Sequence, residues 1–261
     1  VSADQAWYVY CVVPAAYRAP LPDAILPATS IEALTFGPLT VLASLVSRSL
    51  FDQANAAHRT ADPDWMAARV QAHHAVNVAA TRAGPCLPLT FGALFSSLDL
   101  LRDWLAPRQG TLCDALAQAG ELTEWTLALH EEPAAHAAWL DSHDPALCKL
   151  VDEAARAGEG TAFLLERRLD KARRMTRSQN LADLAAHVSS KLAEAGCTVL
   201  PEPPRQGLPH WTVLARDAGL PVLAASLDAR LPPGCLSLRL TGPWPAYGFA
   251  RAALSGEALH A

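Results

Sequence analysis

Trp7 to Val13 is an unbroken apolar run rich in aromatic and β-branched residues, and it stops at Pro14. That is the pattern of a strand buried on both faces. Ile31–Thr35 and Leu39–Leu45 flank Gly37-Pro38 and predict a hairpin. Residues 47–61 show no clear period and are expected to be mobile. Asp62-Pro63 supplies an N-cap and a first-turn proline for a helix over 63–83, closed by Gly84-Pro85. Cys86–Thr90 is short and extended, and Ser96-x-x-Asp99 resembles a capping box that opens a helix ended by Pro107. A further helix over 110–119 stops at Gly120.

Beyond residue 120 the rhythm changes. Thr123–His130 alternates with period two, as a half-buried strand does. Short helices are expected over 134–141 and 144–157. A long one follows over 161–195, with Leu165, Leu169, Ala172, Leu184, Val188 and Leu192 at helical spacing and Gly196 as C-cap. Cys197–Leu200 and His210–Arg216 read as strands around a Pro-rich stretch, then a helix over 220–231 and a last strand, Leu236–Thr241. The order strand, helix, strand, strand, helix, strand is the βαββαβ pattern of a ferredoxin-like domain. The expected class is therefore α+β with two domains. Residues 1–120 form a modified α/β sheet-plus-helices domain, and 121–261 the ferredoxin-like domain.

Composition narrows the function classes. The chain is 51% apolar, but 52 of its 261 residues are Ala, which favours helix and buries little surface. A net charge of −5 argues against sequence-independent nucleic-acid binding, which needs a basic footprint. No apolar run approaches the roughly 20 residues a bilayer-spanning helix needs. Val1-Ser2-Ala3-Asp4 lacks the basic start of a secretory signal, so a cytoplasmic setting is expected. Six cysteines, Cys11, Cys86, Cys113, Cys148, Cys197 and Cys235, form no close pair and read as separately buried, reduced thiols.

Candidate chemistry is sparse. Gly158-x-Gly160 lacks the third glycine and the preceding strand of a dinucleotide loop and reads as a helix start. Phosphate-loop, nucleophile-elbow, zinc-protease and calcium-loop motifs are absent, and no catalytic residue is assigned. His130, Glu131, Glu132, His136, Asp141, His143, Asp144 and Cys148 gather metal-compatible groups within 19 residues. Pro133 and Pro145 break any common helical face there, so a metal-binding module or metal-dependent enzyme is kept only as the alternative. His73-His74 diverge by about 100° on a helix, so one should face the core and the other solvent. Arg167, Arg168, Lys171, Arg173, Arg174 and Arg177 form a basic cluster, either a solvated face with an Asp170–Arg174 pair or a docking patch for an acidic partner. Tyr247-Gly-Phe249 is similar to the aromatic core of an RNA-recognition motif but lacks its basic start and trails the last strand.

Leu240-Thr-Gly-Pro-Trp-Pro-Ala-Tyr-Gly-Phe249 resembles the C-terminal signature of the gas vesicle protein F/L family. Tyr8-Val-Tyr10, Leu87-Pro-Leu-Thr-Phe-Gly-Ala-Leu-Phe95, Glu124-Trp125 and Gly158-x-Gly160-x-Ala-Phe163-Leu with Arg167 resemble its other motifs, in order. Ala246, Gly248 and Phe163 stand where that family usually has Pro, Ser and Tyr. The resemblance implies a non-enzymatic accessory protein of gas vesicle assembly, associated with the vesicle and working without a cofactor or metal. It also implies contact with the hydrophobic shell subunit and with other accessory proteins, while the charge balance and the lack of a spanning apolar run argue against nucleic-acid and membrane partners. Expected contact residues are Pro88, Phe91, Phe95, Arg167, Arg174, Trp244, Tyr247 and Phe249, with the aromatics anchoring the C-terminal run on an apolar surface.

Overall fold

A computed structural model describes residues 4–50, 62–120, 122–200, 202–215 and 219–255. Most of the 47–61 stretch expected to be mobile, and Arg216 at the end of an expected strand, lie outside these residues. The protein has a mixed α/β organisation with two sheets. It divides into two compact units, Val1–Glu124 with Pro243–Ala261, and Trp125–Gly242. The boundary expected at residue 120 places everything after it in the second domain. The chain instead returns to the first unit for its last described helix.

In the first unit, β1 (Gln5–Pro14), β2 (Glu32–Phe36), β3 (Leu39–Ser47) and β4 (Leu87–Pro88) form a sheet in the order β2-β3-β1-β4, and β5 (Leu94–Phe95) also pairs with β1. Residues Ala6 to Val13 of β1 are all buried, as an apolar run without alternation requires. A bulge between Val9 and Cys11 shifts the register against β3. The extra residue changes the alternation, so Cys11 and Val13 join Tyr8 and Tyr10 on one side. That side packs on α1 (Pro63–Ala83) through Val76 and Ala80. Asp62 caps α1, accepting from the Trp65 N–H at 3.0 Å, with Pro63 at N1 as its sequence predicts. The helix α2 (Leu98–Leu105) is capped by Ser97, one residue later than expected, through the Leu100 N–H. α3 (Gln109–Ala119) packs on β1 and β4.

In the second unit the sheet runs β7-β8-β6-β9, from β6 (Thr123–Glu131), β7 (Thr198–Leu200), β8 (His210–Ala215) and β9 (Leu236–Trp244). α4 (Pro133–His143), α5 (Pro145–Arg156) and α6 (Glu159–Glu194) lie between β6 and β7, and α7 (Leu220–Asp228) between β8 and β9. Leu181, Val188 and Leu192 of α6 and Leu220, Ala224 and Leu227 of α7 close one core over Trp125, Leu127, Leu129, Trp211 and Val213. The N-terminal half of α6 instead packs on α4 and α5 through Leu169, Leu140 and Leu147. Gly158 opens α6, its carbonyl accepting from Thr161 and Ala162, which confirms a helix start at the glycine pair.

After β9 the aromatic signature does not trail as an extended tail. It turns into α8 (Tyr247–Ser255), a helix of the first unit, so Tyr247 and Phe249 do not lie on a strand as an RNA-recognition motif would place them. All six cysteines are free. Cys11, Cys86 and Cys235 are buried while Cys113, Cys148 and Cys197 are half-buried, so the expectation of buried thiols holds for three. Nor are they all separate: burial and the neighbouring Cys86 thiol push Cys11 up. Among the described residues, no helix is long and apolar enough to cross a membrane.

Candidate functional site

The first unit brings three of the motif segments together. Gly242, with φ at 135°, and Pro243 and Pro245 bend the chain out of β9 and start α8. The free N–H groups of that helix start meet a carboxylate: Glu124 accepts from Gly248 at 2.8 Å and from Phe249 at 3.1 Å. Glu124 is 6% exposed, so these charge-assisted bonds form away from water. They seat Phe249 in the core and leave Trp244 37% exposed. Tyr247 points to α1, where its hydroxyl accepts from the Asn77 carboxamide at 3.2 Å and lies 3.1 Å from His74 Nδ1. Burial above all pushes its phenol up to about 12.

His73 sits one residue back on α1, 4% exposed, between the Tyr8 hydroxyl at 2.8 Å from Nδ1 and the Leu89 carbonyl at 3.1 Å from Nε2. With its proton on Nε2, His73 accepts from Tyr8 and donates to the Leu89 carbonyl, and the Asn77 amide, 3.0 Å from Nε2, donates to Tyr247 instead. His73 faces the core as expected, while His74 is half-buried against Tyr247 and Trp244 rather than open to solvent. Burial lowers His73 from 6.5 to about 4. Unfolded chain binds this proton below pH 6.5, and folded chain only below about 4. The neutral imidazole's contribution is therefore complete above pH 6.5. It falls by about 3 kcal/mol as pH drops to 4. Urea titrations across that window should show the stability advantage of the parent over His73→Gln shrinking; a constant difference contradicts a buried neutral His73.

Beside this polar hub lies a groove of about 500 Å³, lined by Pro88, Leu89, Phe95, Trp104, Tyr247 and Leu254 among others. Pro88, Phe95 and Tyr247 were expected contact residues, and the fold brings them to one place, with Pro88 buried and Phe95 and Tyr247 half-buried. Phe91 is close by but packs edge-on against Tyr8 and His73, and Phe249 is buried, so neither is an open contact. Trp104, Arg251 and Leu254 were missed, two because α8 was not predicted. The groove wall is mostly apolar, with Thr90, Tyr247 and Arg251 as its polar side chains.

Arg167 and Arg174 belong to the second unit and are exposed on α6. The basic cluster is divided in its roles. Arg177 binds the carboxylate of Glu131 through two bonds, one of them 2.7 Å from Nε. Arg173 clasps Asp141 in the same two-pronged way, at 2.9 Å from Nε. Asp170 lies 3.8 Å from Arg173, in place of the expected pairing with Arg174. Arg177 first, and His136 after it, hold the Glu131 carboxyl below its usual range.

The same contacts account for the metal-compatible segment. His136 bridges Glu131 at 2.7 Å and Asn180 at 3.1 Å. Asp144 caps α5 at Ala146 and Leu147, the Cys148 thiol donates to the Asp141 carbonyl, and His143 stacks on Trp139. Among the described residues no group of three or more such side chains is arranged to hold a metal ion.

These features describe a two-unit α+β protein with a buried polar hub, a mostly apolar groove and an exposed basic helix. The chain belongs to the gas vesicle synthesis protein GvpL/GvpF family, whose model matches residues 6–251. It is 27% identical to gas vesicle protein L of Haloferax mediterranei over 73% of this chain, but spans only 64% of that protein's length. It is 29% identical to gas vesicle protein L of a Streptomyces species, over 96% of this chain and 94% of that one. Its fold is similar to the crystal structure of gas vesicle protein GvpF from Anabaena, with a TM-score of 0.67 at 13% identity over 94% of this chain and 98% of that one.

Proposed function

We propose that this protein is a non-enzymatic assembly factor that binds the hydrophobic shell subunit of the gas vesicle before or during its polymerisation. The supporting observation is the groove. Segments 87–95 and 240–249, far apart in the chain, supply its Pro88, Phe95 and Tyr247, and the polar hub behind it fixes Tyr247. An apolar side chain of the shell subunit seated there is removed from water until it meets its neighbours in the wall, which limits premature aggregation. The protein works in the cytoplasm, on or near the growing vesicle, with other accessory proteins as further partners. The second unit is read as ferredoxin-like, because its strand order β7-β8-β6-β9, with helices after β6 and β8, is that of a split βαβ arrangement.

Co-purification with tagged shell subunit tests the groove. Thr90 is exposed at its wall, so Thr90→Arg fills the groove without disturbing the core. Retention should drop about tenfold or more, as for a blocked anchor pocket, while Val222→Ser on α7 of the other unit leaves it unchanged. Full retention by Thr90→Arg, or none by the parent while both proteins stay soluble, would sink the proposal.

A further inference from the structure

The long helix α6 carries a surface that its own unit does not use. In its second half, Leu181, Val188 and Leu192 lie within one narrow arc and close the sheet core. Followed back towards the N-terminus at about 100° per residue, that arc runs through Arg174, Arg167 and Phe163. There the helix packs on α4 and α5 through a different side, around Leu169. The arc that covers the sheet in one half is therefore uncovered in the other. Phe163 is 63% exposed, Leu164 67% and Met175 63%, three of the seven large apolar side chains exposed among the described residues.

Charge on this surface is one-sided. Over about 140° of the helix circumference, from Phe163 round to Arg168, the side chains include Arg167, Lys171, Arg174 and Arg168 and no carboxylate. Glu166 and Asp170 fall outside it. Arg173 and Arg177, the cations paired with Asp141 and Glu131, also point elsewhere. Arg167 lies over the Phe163 ring at 5.2 Å. Arg168, Lys171 and Arg174 have no ion-pair partner among the described residues.

We propose that Phe163, Leu164, Arg168, Lys171, Arg174 and Met175 form a docking surface for an acidic amphipathic helix of a partner protein. Apolar residues of the incoming helix cover Phe163, Leu164 and Met175, and carboxylates interspersed with them and at one border meet Lys171, Arg174 and Arg168. A second copy of this chain does not fit, because two such faces would set cation against cation. An anionic membrane fits less well. Helices that lie on membranes keep a continuous apolar face with cations at its borders, whereas here Arg167, Lys171 and Arg174 fall between Phe163 and Met175. The surface is independent of the groove in the first unit, and either can fail without the other.

The test uses the 261-residue chain and a fluorescein-labelled helical peptide with leucine and glutamate interspersed on one face. Its counterpart has lysine for glutamate, and vesicles of phosphatidylcholine and phosphatidylserine form a third arm. Fluorescence anisotropy should show binding of the glutamate peptide and not of the lysine peptide. Arg168→Glu with Arg174→Glu should weaken it at least about tenfold, and Phe163→Ser with Met175→Ser comparably, with unchanged far-ultraviolet circular dichroism. The proposal is overturned by equal binding of both peptides, by no binding, or by an affinity indifferent to the charge reversal. Vesicle binding lost on charge reversal, without peptide binding, would reassign the surface to a membrane.

Discussion

Replacing Glu124 with alanine should lower the stability of the first unit by about 3 kcal/mol, read as a fall in the urea midpoint at unchanged slope. Its buried carboxylate accepts from Gly248 and Phe249, two of the N–H groups that a helix leaves without internal partners. Alanine leaves those donors buried and unbonded and removes a negative charge from the positive end of α8. Glu124→Gln keeps one acceptor oxygen and loses the charge, so about half the penalty is expected. The same variants should reduce shell-subunit retention, because α8 carries Tyr247 and Leu254 of the groove wall. An alanine variant with parental stability would show that α8 is held by other contacts.

Arg177→Leu should cost about 3 kcal/mol, at the lower end for a broken buried pair because the guanidinium is partly exposed. The Glu131 side chain is 2% exposed, and without Arg177 its charge rests on His136 and whatever water can enter. The sign of the pH response follows. Arg177 holds the Glu131 carboxyl below its usual range, so the pair's contribution is complete above the unfolded value. It is lost as pH falls through the lower folded one. In the variant the penalty should shrink on acidification, since a protonated Glu131 no longer needs a cation. Glu131→Leu in the Arg177→Leu background should recover much of the loss. If the double variant is no more stable than the single one, the uncompensated carboxylate is not the cause.

Local signals in the chain were legible where the determinants are local. The apolar run of β1, the Asp62-Pro63 start of α1 and the Gly158 start of α6 each depend on residues within one turn or one strand. Family motifs singled out Leu87–Phe95 and the Trp244–Phe249 run without showing that they meet. α8 was illegible for a physical reason. Two prolines and Gly248 surround its start, and the group that satisfies its N-terminus lies 124 residues earlier in the sequence. The division of the basic cluster was hidden in the same way: the partners of Arg173 and Arg177 are 32 and 46 residues away. Alternation along β6 turns Glu124 and Trp125 to opposite faces, so a motif read as one strand signal serves two purposes, a helix cap and a core aromatic.

The return of the chain to its first unit has a consequence for how the protein is made. Everything from Trp125 to Gly242 must be synthesised between the Glu124 carboxylate and the helix it caps. At about 5–20 residues per second, that interval lasts on the order of 6–25 s. The second unit has time to fold on the ribosome while the first waits with one wall of its groove missing. A chain released before Leu254 never completes that wall, so the groove forms only after the whole second unit has been made.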